Sequence, residues 1–136
     1  MSGERDLSIL LHEMAPKLWA HDLVFCTIPN ANDDEFAHLR PLMRFREQEG
    51  MTLIVEQSQA EAAALRYTGV FRCIVLTVHS DLEAVGLTAA VSTALANENI
   101  SANMVAGFFH DYVFVPKSDA KRALSVLEQL SSGARS

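Results

Sequence analysis

The residues best suited to hold a small polar molecule lie in the run HSDLEAVGLT, at positions 79–88. Ser80 and Glu83 form the S-x-x-E pattern of a capping box, which predicts that Ser80 is the N-cap of a helix beginning at Asp81. A helix N-terminus carries partial positive charge and N–H groups without intrahelical partners, so it attracts carboxylates. Asp81 could pair with an ammonium group. The pattern therefore offers complementary groups for a zwitterion, although it also serves simply to begin a helix.

Gly86 lies inside this predicted helix, where glycine costs about 1 kcal/mol relative to alanine. Its missing side chain permits either close packing against another element or the approach of a ligand, and the sequence leaves both interpretations open. Thr88 and the two alanines after it keep the next turn small. His79, at the end of the preceding strand, is either a solvated histidine or a ligand contact.

An internal repeat indicates which elements position these residues. TLIVEQSQAEAA (52–63) aligns with YVFVPKSDAKRA (112–123) at an offset of 60 residues. Each copy passes from a strand through a predicted capping serine, Ser58 or Ser118, into a helix. Each half therefore follows the order strand, helix, strand, strand, helix, with a shortened first helix in the first copy.

This order predicts an α+β fold in which two β-α-β-β-α units form antiparallel sheets with helices on one face. It divides the chain into an N-terminal helix (1–15), a degenerate unit (16–67) and a complete unit (68–136). The second unit contains the predicted helix at 81–98, and strands at 101–108 and 110–116 follow it.

The motifs GLTAAVSTAL (86–95) and ISANMVAG (100–107) resemble the ACT domain, in particular the ACT repeats of aspartokinases. The whole chain is similar to small bacterial tandem ACT proteins without assigned activity, and more distantly to CASTOR-type arginine sensors. This resemblance implies a ferredoxin-like sandwich that binds a small ligand, commonly an amino acid, and regulates without catalysis.

The resemblance also implies a ligand site built from the 79–88 run and the strand after the helix. Aspartokinase repeats place an asparagine directly after the isoleucine that opens this strand, whereas this chain has Ser101 there and Asn103 two residues on, on the same strand face. The predicted ligand contacts are His79, Ser80, Asp81, Glu83, Val85, Gly86, Leu87, Thr88, Ser101 and Asn103. ACT units also end in a fourth strand, which Lys17–Trp19 or a neighbouring chain would supply here.

Composition argues against several other classes of protein. The net charge of −6 opposes nucleic-acid binding, and no apolar run is long enough to span a membrane. The N-terminus lacks the basic start and apolar core of a signal peptide. Cys26 and Cys73 lie in separate apolar runs, which predicts buried free thiols and a cytoplasmic location. No spacing typical of a metal site, a cofactor fingerprint or a catalytic pair is present.

The sequence thus predicts a non-catalytic regulatory protein that binds an amino acid or similar metabolite, without a cofactor or metal, as a homodimer or larger homo-oligomer. Two alternatives stay open at this point. One is an ACT-fold module for oligomerisation or protein interaction without a ligand. The other is a small enzyme that uses His79 or His110 in a cleft.

Overall fold

The computed structural model of the chain describes residues 3–30, 32 and 34–133. The helices are α1 (Leu7–Glu13), α2 (Gln57–Ala62), α3 (Leu87–Asn97) and α4 (Ala120–Gly133), and short 3-10 turns lie at Ala37–Leu39 and Lys117–Asp119. The strands are β1 (Pro16–Leu18), β2 (Leu23–Ile28), β3 (Met43–Glu47), β4 (Gly50–Glu56), β5 (Phe71–Leu76), β6 (Asn103–Ala106) and β7 (Asp111–Pro116). The chain forms two compact units. The segment up to Ala20 and the segment from Arg72 onward form unit 1, and His21–Phe71 forms unit 2.

Unit 1 has the strand order β1-β5-β7-β6, with β1 antiparallel to β5 and β6 antiparallel to β7. The fourth strand of this ferredoxin-like arrangement is β1, in which Pro16 lies opposite Leu76 and Leu18 opposite Ile74. The amide of Trp19 extends the pairing by donating to the Cys73 carbonyl at 2.9 Å. Of the two sources expected for this strand, Lys17–Trp19 and a neighbouring chain, the structure shows the first.

The core of unit 1 lies where its three helices meet the strands. In α3, Leu87, Val91 and Leu95 recur at every fourth residue and form one buried stripe. The N-terminal helix α1 contributes Leu10 and Met14, both with 0% exposure. The same cluster contains Ile74, Leu76, Ile100, Val113, Val115, Ala120, Ala123 and Leu127. The N-terminal helix is therefore an integral part of the unit that contains the C-terminal half of the chain.

Unit 2 has the strand order β3-β4-β2, with both neighbouring pairs antiparallel. Its first helix is reduced to the 3-10 turn Ala37–Leu39, as the shortened first copy of the repeat predicts. A separate core lies between β2, β4 and α2 and contains Val24, Cys26, Ile28, Leu39, Met51, Leu53, Val55 and Ala60.

The α+β, ferredoxin-like fold class and the tandem arrangement are confirmed. The predicted serine caps are wrong. Ser58 lies inside α2, whose N-cap is Glu56, and Ser118 lies in the 3-10 turn that precedes α4. In each copy the helical turn begins directly after the strand, one residue before the serine.

Candidate ligand-binding site

A small cleft of about 130 Å³ lies in unit 1, between the segment that follows β5 and the facing ends of β6 and β7. We call it the acidic cleft, because it contains the carboxylates of Asp81 and Asp111. It is lined by Ser80, Asp81, Leu82, Ala84, Gly86, Leu87, Thr88, Ala106 and Asp111. None of these lining residues is basic, so the cleft itself favours a cationic group.

The predicted capping box does not form, because the helix begins six residues later than the pattern indicates. The N-cap of α3 is Gly86, and the helix runs from Leu87. Between Asp81 and Ala84 the chain makes a turn instead. The Asp81 carboxylate accepts the Glu83 N–H at 2.8 Å and the Ala84 N–H donates to the Asp81 carbonyl at 2.9 Å. An aspartate that bonds its own downstream backbone competes with helix formation, which explains the error.

Ser80 and Glu83 consequently have roles other than capping. The Ser80 hydroxyl is buried and donates to Oδ2 of Asp111 at 2.6 Å. Glu83 lies on the surface, where Oε2 accepts from Nη2 of Arg5 at 2.9 Å. Asp111 opens β7 and is itself buried, with 8% exposure. The Ser80–Asp111 hydrogen bond therefore fixes the floor of the acidic cleft.

Gly86 is required for two reasons, a backbone conformation that the helical interpretation did not contain and the close packing against another element that it allowed. Its φ is +105°, in the left-handed region that a residue with a side chain rarely adopts. A Cβ at this position would also lie 3.0 Å from Cδ2 of Leu7 on α1. Because glycine has no side chain, it also offers no side-chain cap to the first N–H groups of α3, whose first two residues, Leu87 and Thr88, line the cleft.

Residues 3–6 form an extended segment, here called the N-terminal strap, that runs beside the cleft-forming segment. The Glu4 N–H donates to the His79 carbonyl at 2.8 Å, and the Asp81 N–H donates to the Glu4 carbonyl at 2.9 Å. Gly3 allows this close approach, since a Cβ there would lie 2.5 Å from the His79 carbonyl oxygen. The strap therefore holds residues 79–81 by backbone hydrogen bonds.

Arg5 of the strap supplies the cation that the lining of the cleft lacks. Its Nε lies 3.3 Å from Oδ2 of Asp81, whose side chain is only 9% exposed. The pKa of the Asp81 carboxyl is lowered, chiefly by the hydrogen bond from the Glu83 amide; burial opposes this shift, and Arg5 and His79 add to it. Asp81 is therefore ionised at neutral pH and already partly neutralised by a residue of its own chain.

The structure brings five of the ten predicted contacts together in the cleft, namely Ser80, Asp81, Gly86, Leu87 and Thr88. The other five lie outside its lining. His79 packs beside Phe109 with ring centroids 5.1 Å apart, Val85 is 83% exposed, and Glu83 pairs with Arg5. Ser101 and Asn103 are exposed before and at the start of β6, whereas Ala106 at the other end of that strand reaches the cleft.

Sequence reasoning missed four residues of the cleft lining, Leu82 and Ala84 in the turn before α3 and Ala106 and Asp111 on the facing strands. The register of the β6–β7 pair places Ala106 opposite Asp111 and Asn103 opposite Phe114, so the polar end of the hairpin is the one near the turn. One signal was available, because Asp111 is an acidic residue that opens the otherwise apolar strand DYVFV. A buried carboxylate at a strand end needs a partner, which Ser80 provides.

The part of the chain that the structure describes contains no activated thiol, no metal-binding cluster and no membrane-spanning helix. Burial raises the pKa of the Cys73 thiol to about 12 and raises that of Cys26, so neither is an activated nucleophile. No cluster of three or more metal-ligating side chains lies among residues 3–30, 32 and 34–133. Within the same ranges, the helices are too short or too polar to cross a membrane.

Comparisons with known proteins identify the class to which this fold and cleft belong. One ACT domain family model matches residues 2–72, and a second matches residues 70–129. The chain therefore belongs to the ACT domain family, as a tandem protein of two such domains. ACT domains are typically regulatory and bind small ligands. No curated protein matches the sequence significantly.

Solved structures agree with this assignment. A Vibrio cholerae protein of unknown function, described as a possible transport protein, is 48% identical, with a TM-score of 0.83 over 92% of this chain and 95% of its own. An Agrobacterium tumefaciens protein has 13% identity and a TM-score of 0.71 over 85% and 87% of the two chains. The regulatory subunit of aspartate kinase from Thermus flavus has 12% identity and a TM-score of 0.63 over 85% and 95%. The last two similarities show the fold alone.

Proposed function

We propose that this protein is a non-catalytic regulatory protein that binds an amino acid, or a similar small metabolite with an ammonium group, in the acidic cleft of unit 1. The observation that carries the proposal is the presence of Asp81 and Asp111 in one small cleft beside the first turn of α3. Carboxylates attract an ammonium group, and the N–H groups of a helix start attract a carboxylate. Membership of the ACT domain family supports the same class of ligand.

The contacts within the cleft suggest how the two charged groups would be divided. Asp81 already accepts the Glu83 amide and faces Arg5, so the original hypothesis that it alone holds the ammonium group is incomplete. Asp111 uses Oδ2 for the Ser80 hydroxyl and has a second oxygen for a ligand. We therefore place the ammonium group between both carboxylates and the ligand carboxylate at the N–H groups of Leu87 and Thr88.

The size of the cleft limits what it can enclose. Its volume of about 130 Å³ is below the range of about 300–1,000 Å³ that is usual for sites enclosing a drug-sized ligand. The cleft thus accommodates the charged head of an amino acid rather than a whole large one. A side chain would leave past Leu82, which lines the cleft and is 62% exposed.

Calorimetric titration with each of the twenty amino acids tests this proposal. A ligand present at 100 times its dissociation constant should stabilise the fold by about 2.7 kcal/mol, which a thermal melt detects readily. Asp111→Asn should weaken binding by about tenfold or more, because it removes a charge-assisted hydrogen bond while an amide oxygen can still accept from Ser80. Asp81→Asn should act in the same direction.

Glu128→Gln is the control, since it removes an exposed carboxylate of unit 1 that lies outside the lining of the cleft. If Asp81→Asn and Asp111→Asn retain full affinity for a ligand that binds the wild type, the ligand occupies another site. If none of the twenty amino acids binds, the proposed ligand class is wrong.

A second candidate function, homo-oligomerisation, is favoured by apolar residues on and beside the cleft-forming segments. Phe108 and Phe109, in the turn between β6 and β7, are 59% and 52% exposed, and Val85 is 83% exposed. Exposed apolar patches commonly mark interaction surfaces, and ACT domains generally oligomerise. We propose that the protein forms a homodimer through this surface, in addition to binding a ligand.

Light scattering across micromolar concentrations tests the dimer. The double variant Phe108→Ser/Phe109→Ser should be monomeric where the wild type is dimeric, and Leu42→Ser, which changes a residue of unit 2 that is 41% exposed, should not alter the mass. A wild-type monomer at every concentration refutes the dimer. A constant dimer that no amino acid stabilises would favour a purely structural module.

Enzymatic use of His79 or His110 has less support. His79 packs on Phe109, and Nδ1 of His110 lies 3.4 Å from the Val78 carbonyl oxygen. Within the described ranges neither ring is hydrogen-bonded to a serine, cysteine or carboxylate side chain that it could activate. Turnover that disappears in His79→Ala or His110→Ala would reverse this preference. The two free cysteines, Cys26 and Cys73, support a reducing location such as the cytoplasm.

A further inference from the structure

A second and larger cleft, of about 530 Å³, lies on the outward face of the strands of unit 2. We call it the mixed-charge cleft, because it contains both a carboxylate and a guanidinium. The lining side chains that matter for the argument are Phe25, Thr27, Glu47, Thr52, Arg66 and Thr68. Its volume falls within the range of about 300–1,000 Å³ that is typical of sites for small molecules.

The alternation of side chains along β2 explains why the floor of this cleft is polar and aromatic. Val24, Cys26 and Ile28 point into the core of unit 2. Successive side chains of a strand point to opposite faces, so Phe25 and Thr27 lie on the outward face. In the paired strand β4, Thr52 is directly opposite Thr27.

The two charged residues reach the cleft from its opposite walls. Glu47 ends β3, two residues after Phe45, which is opposite Thr52, so its side chain shares the outward face. On the other side, Tyr67 forms a bridge with Cys26 and packs on the core. Its neighbours along the chain, Arg66 and Thr68, therefore lie on the outward face beside β2.

The two charged side chains in this cleft, Arg66 and Glu47, do not form an ion pair with each other. Arg66 makes no ion pair or hydrogen bond with any other residue that the structure describes, and it does not pair with Glu47. The Glu47 carboxylate accepts a hydrogen bond from the Thr52 hydroxyl, which orients it across the floor of the cleft. A cation and an anion that face one cavity without meeting leave room for a molecule that carries the two opposite charges.

Phe25 indicates that a ligand of this cleft should also have an apolar group. Its ring makes an edge-to-face contact with Phe71, with ring centroids 5.1 Å apart, and this contact fixes its position. The ring is partly exposed and lines the same cleft as the two charged groups. An apolar, and preferably aromatic, side chain of a ligand would cover it.

We propose that the mixed-charge cleft is a second ligand site, which binds a small zwitterion with an aromatic side chain. The guanidinium of Arg66 holds the carboxylate through paired N–H donors, the geometry for which guanidinium is suited. Glu47 holds the ammonium group, and the ligand's ring packs against Phe25. This site lies within unit 2 and does not depend on the acidic cleft of unit 1.

Calorimetry with L-phenylalanine as the probe tests this proposal. The analogues 3-phenylpropionate, which lacks the ammonium group, and 2-phenylethylamine, which lacks the carboxylate, should each bind with an affinity at least about tenfold lower than that of phenylalanine. Arg66→Gln should weaken phenylalanine and 3-phenylpropionate but leave the already weak binding of 2-phenylethylamine unchanged. Glu47→Gln should show the converse pattern.

Matched controls separate this site from general charge effects and from the acidic cleft. Arg40→Gln and Glu49→Gln change exposed charges of unit 2 that do not line the cleft and should leave affinity unchanged. Asp111→Asn in unit 1 should also leave it unchanged. Amide NMR shifts on the wild-type protein should concentrate at residues 25–27, 47, 52 and 66–68. Absence of phenylalanine binding at millimolar concentration, or shifts confined to unit 1, would overturn the proposal.

Discussion

The two units of this protein share an element order but differ in the number and length of their helices. Unit 1 contains α3, α4 and the additional helix α1 over its strands, whereas unit 2 contains the six-residue α2 and a 3-10 turn in place of a first helix. The cleft of unit 1 forms at the start of α3 and is small and acidic. The cleft of unit 2 forms on the opposite kind of surface, an outward sheet face, and is larger and of mixed charge.

The difference indicates what the first helix of such a unit controls. Where the helix is complete, the turn before it carries Asp81 and brings polar groups to one end of the strands. Where it is reduced to Ala37–Leu39, the described residues at that end include no helix start long enough to attract an anion, and the polar residues lie on the sheet face. Two domains of one fold thus carry two different chemical environments.

The largest effect in this comparison should come from α1, the additional helix of unit 1. Leu10→Ala removes a side chain with 0% exposure from the centre of its core and should cost about 2–5 kcal/mol of unfolding free energy. Ile9→Ala, in the same helix at a position 42% exposed, should change stability by about 0.5 kcal/mol or less. Urea unfolding measures both. Equal small effects would show that α1 is not needed by unit 1.

Gly86→Ala should have the next largest effect, about 1–3 kcal/mol, because it combines a left-handed φ of +105° with a contact at 3.0 Å from Leu7. Repeating the substitution in a Leu7→Ala background separates these causes, since the smaller side chain relieves the contact but not the backbone strain. Gly133→Ala, where a Cβ meets nothing within 4 Å, is the control and should not destabilise. A cost that vanishes entirely in the Leu7→Ala background would show that the backbone conformation carries no strain.

Arg5→Ala should have a smaller effect on stability, about 0–1 kcal/mol, because Arg5 is 61% exposed and its ion pairs are screened by solvent. If the proposed function is correct, the same change should strengthen the binding of an amino acid to the acidic cleft, since Arg5 competes with the ammonium group for Asp81. Arg122→Ala, which removes an exposed pair with Asp119, is the matched control for charge and should not change affinity. Weaker binding in the Arg5→Ala variant would mean that the strap helps to form the site rather than to compete for it.

The smallest expected effect concerns pH. The pKa of Asp81 is lowered in the folded protein from its ordinary value of 3.8. A depressed carboxyl pKa contributes stability that is fully present above the unfolded value and is lost as the pH falls through the folded value. The destabilisation caused by Asp81→Asn should therefore be greater at pH 6 than at pH 2.5, as measured by urea unfolding. A difference independent of pH would show that the charge of Asp81 contributes nothing.

The elements and their order could be predicted from the sequence, because strand-forming runs and the offset repeat are local or periodic signals. The start of α3 could not, since the S-x-x-E pattern at Ser80 competes with the turn that Asp81 forms with its own downstream backbone. The hydrogen bond between Ser80 and Asp111 could not be predicted either, because residues 31 positions apart come into contact only once the strand register is set. For the same reason the sequence did not indicate that Ala106, at the other end of β6 from Asn103, lines the cleft.

The fourth strand of unit 1 has a consequence for how the protein is made. Since β1 lies near the N-terminus and pairs with β5, the residues of unit 2 are synthesised between the two parts of unit 1. On the ribosome, the strands of unit 2 can pair before β5, α3 and α4, which contact β1 and α1, have been synthesised. Closing unit 1 then requires contacts between distant parts of the chain, which slows folding. A chain truncated before α4 would leave α1 without one of the two helices that it packs against, so the N-terminal residues would be less well protected from solvent than in the folded protein.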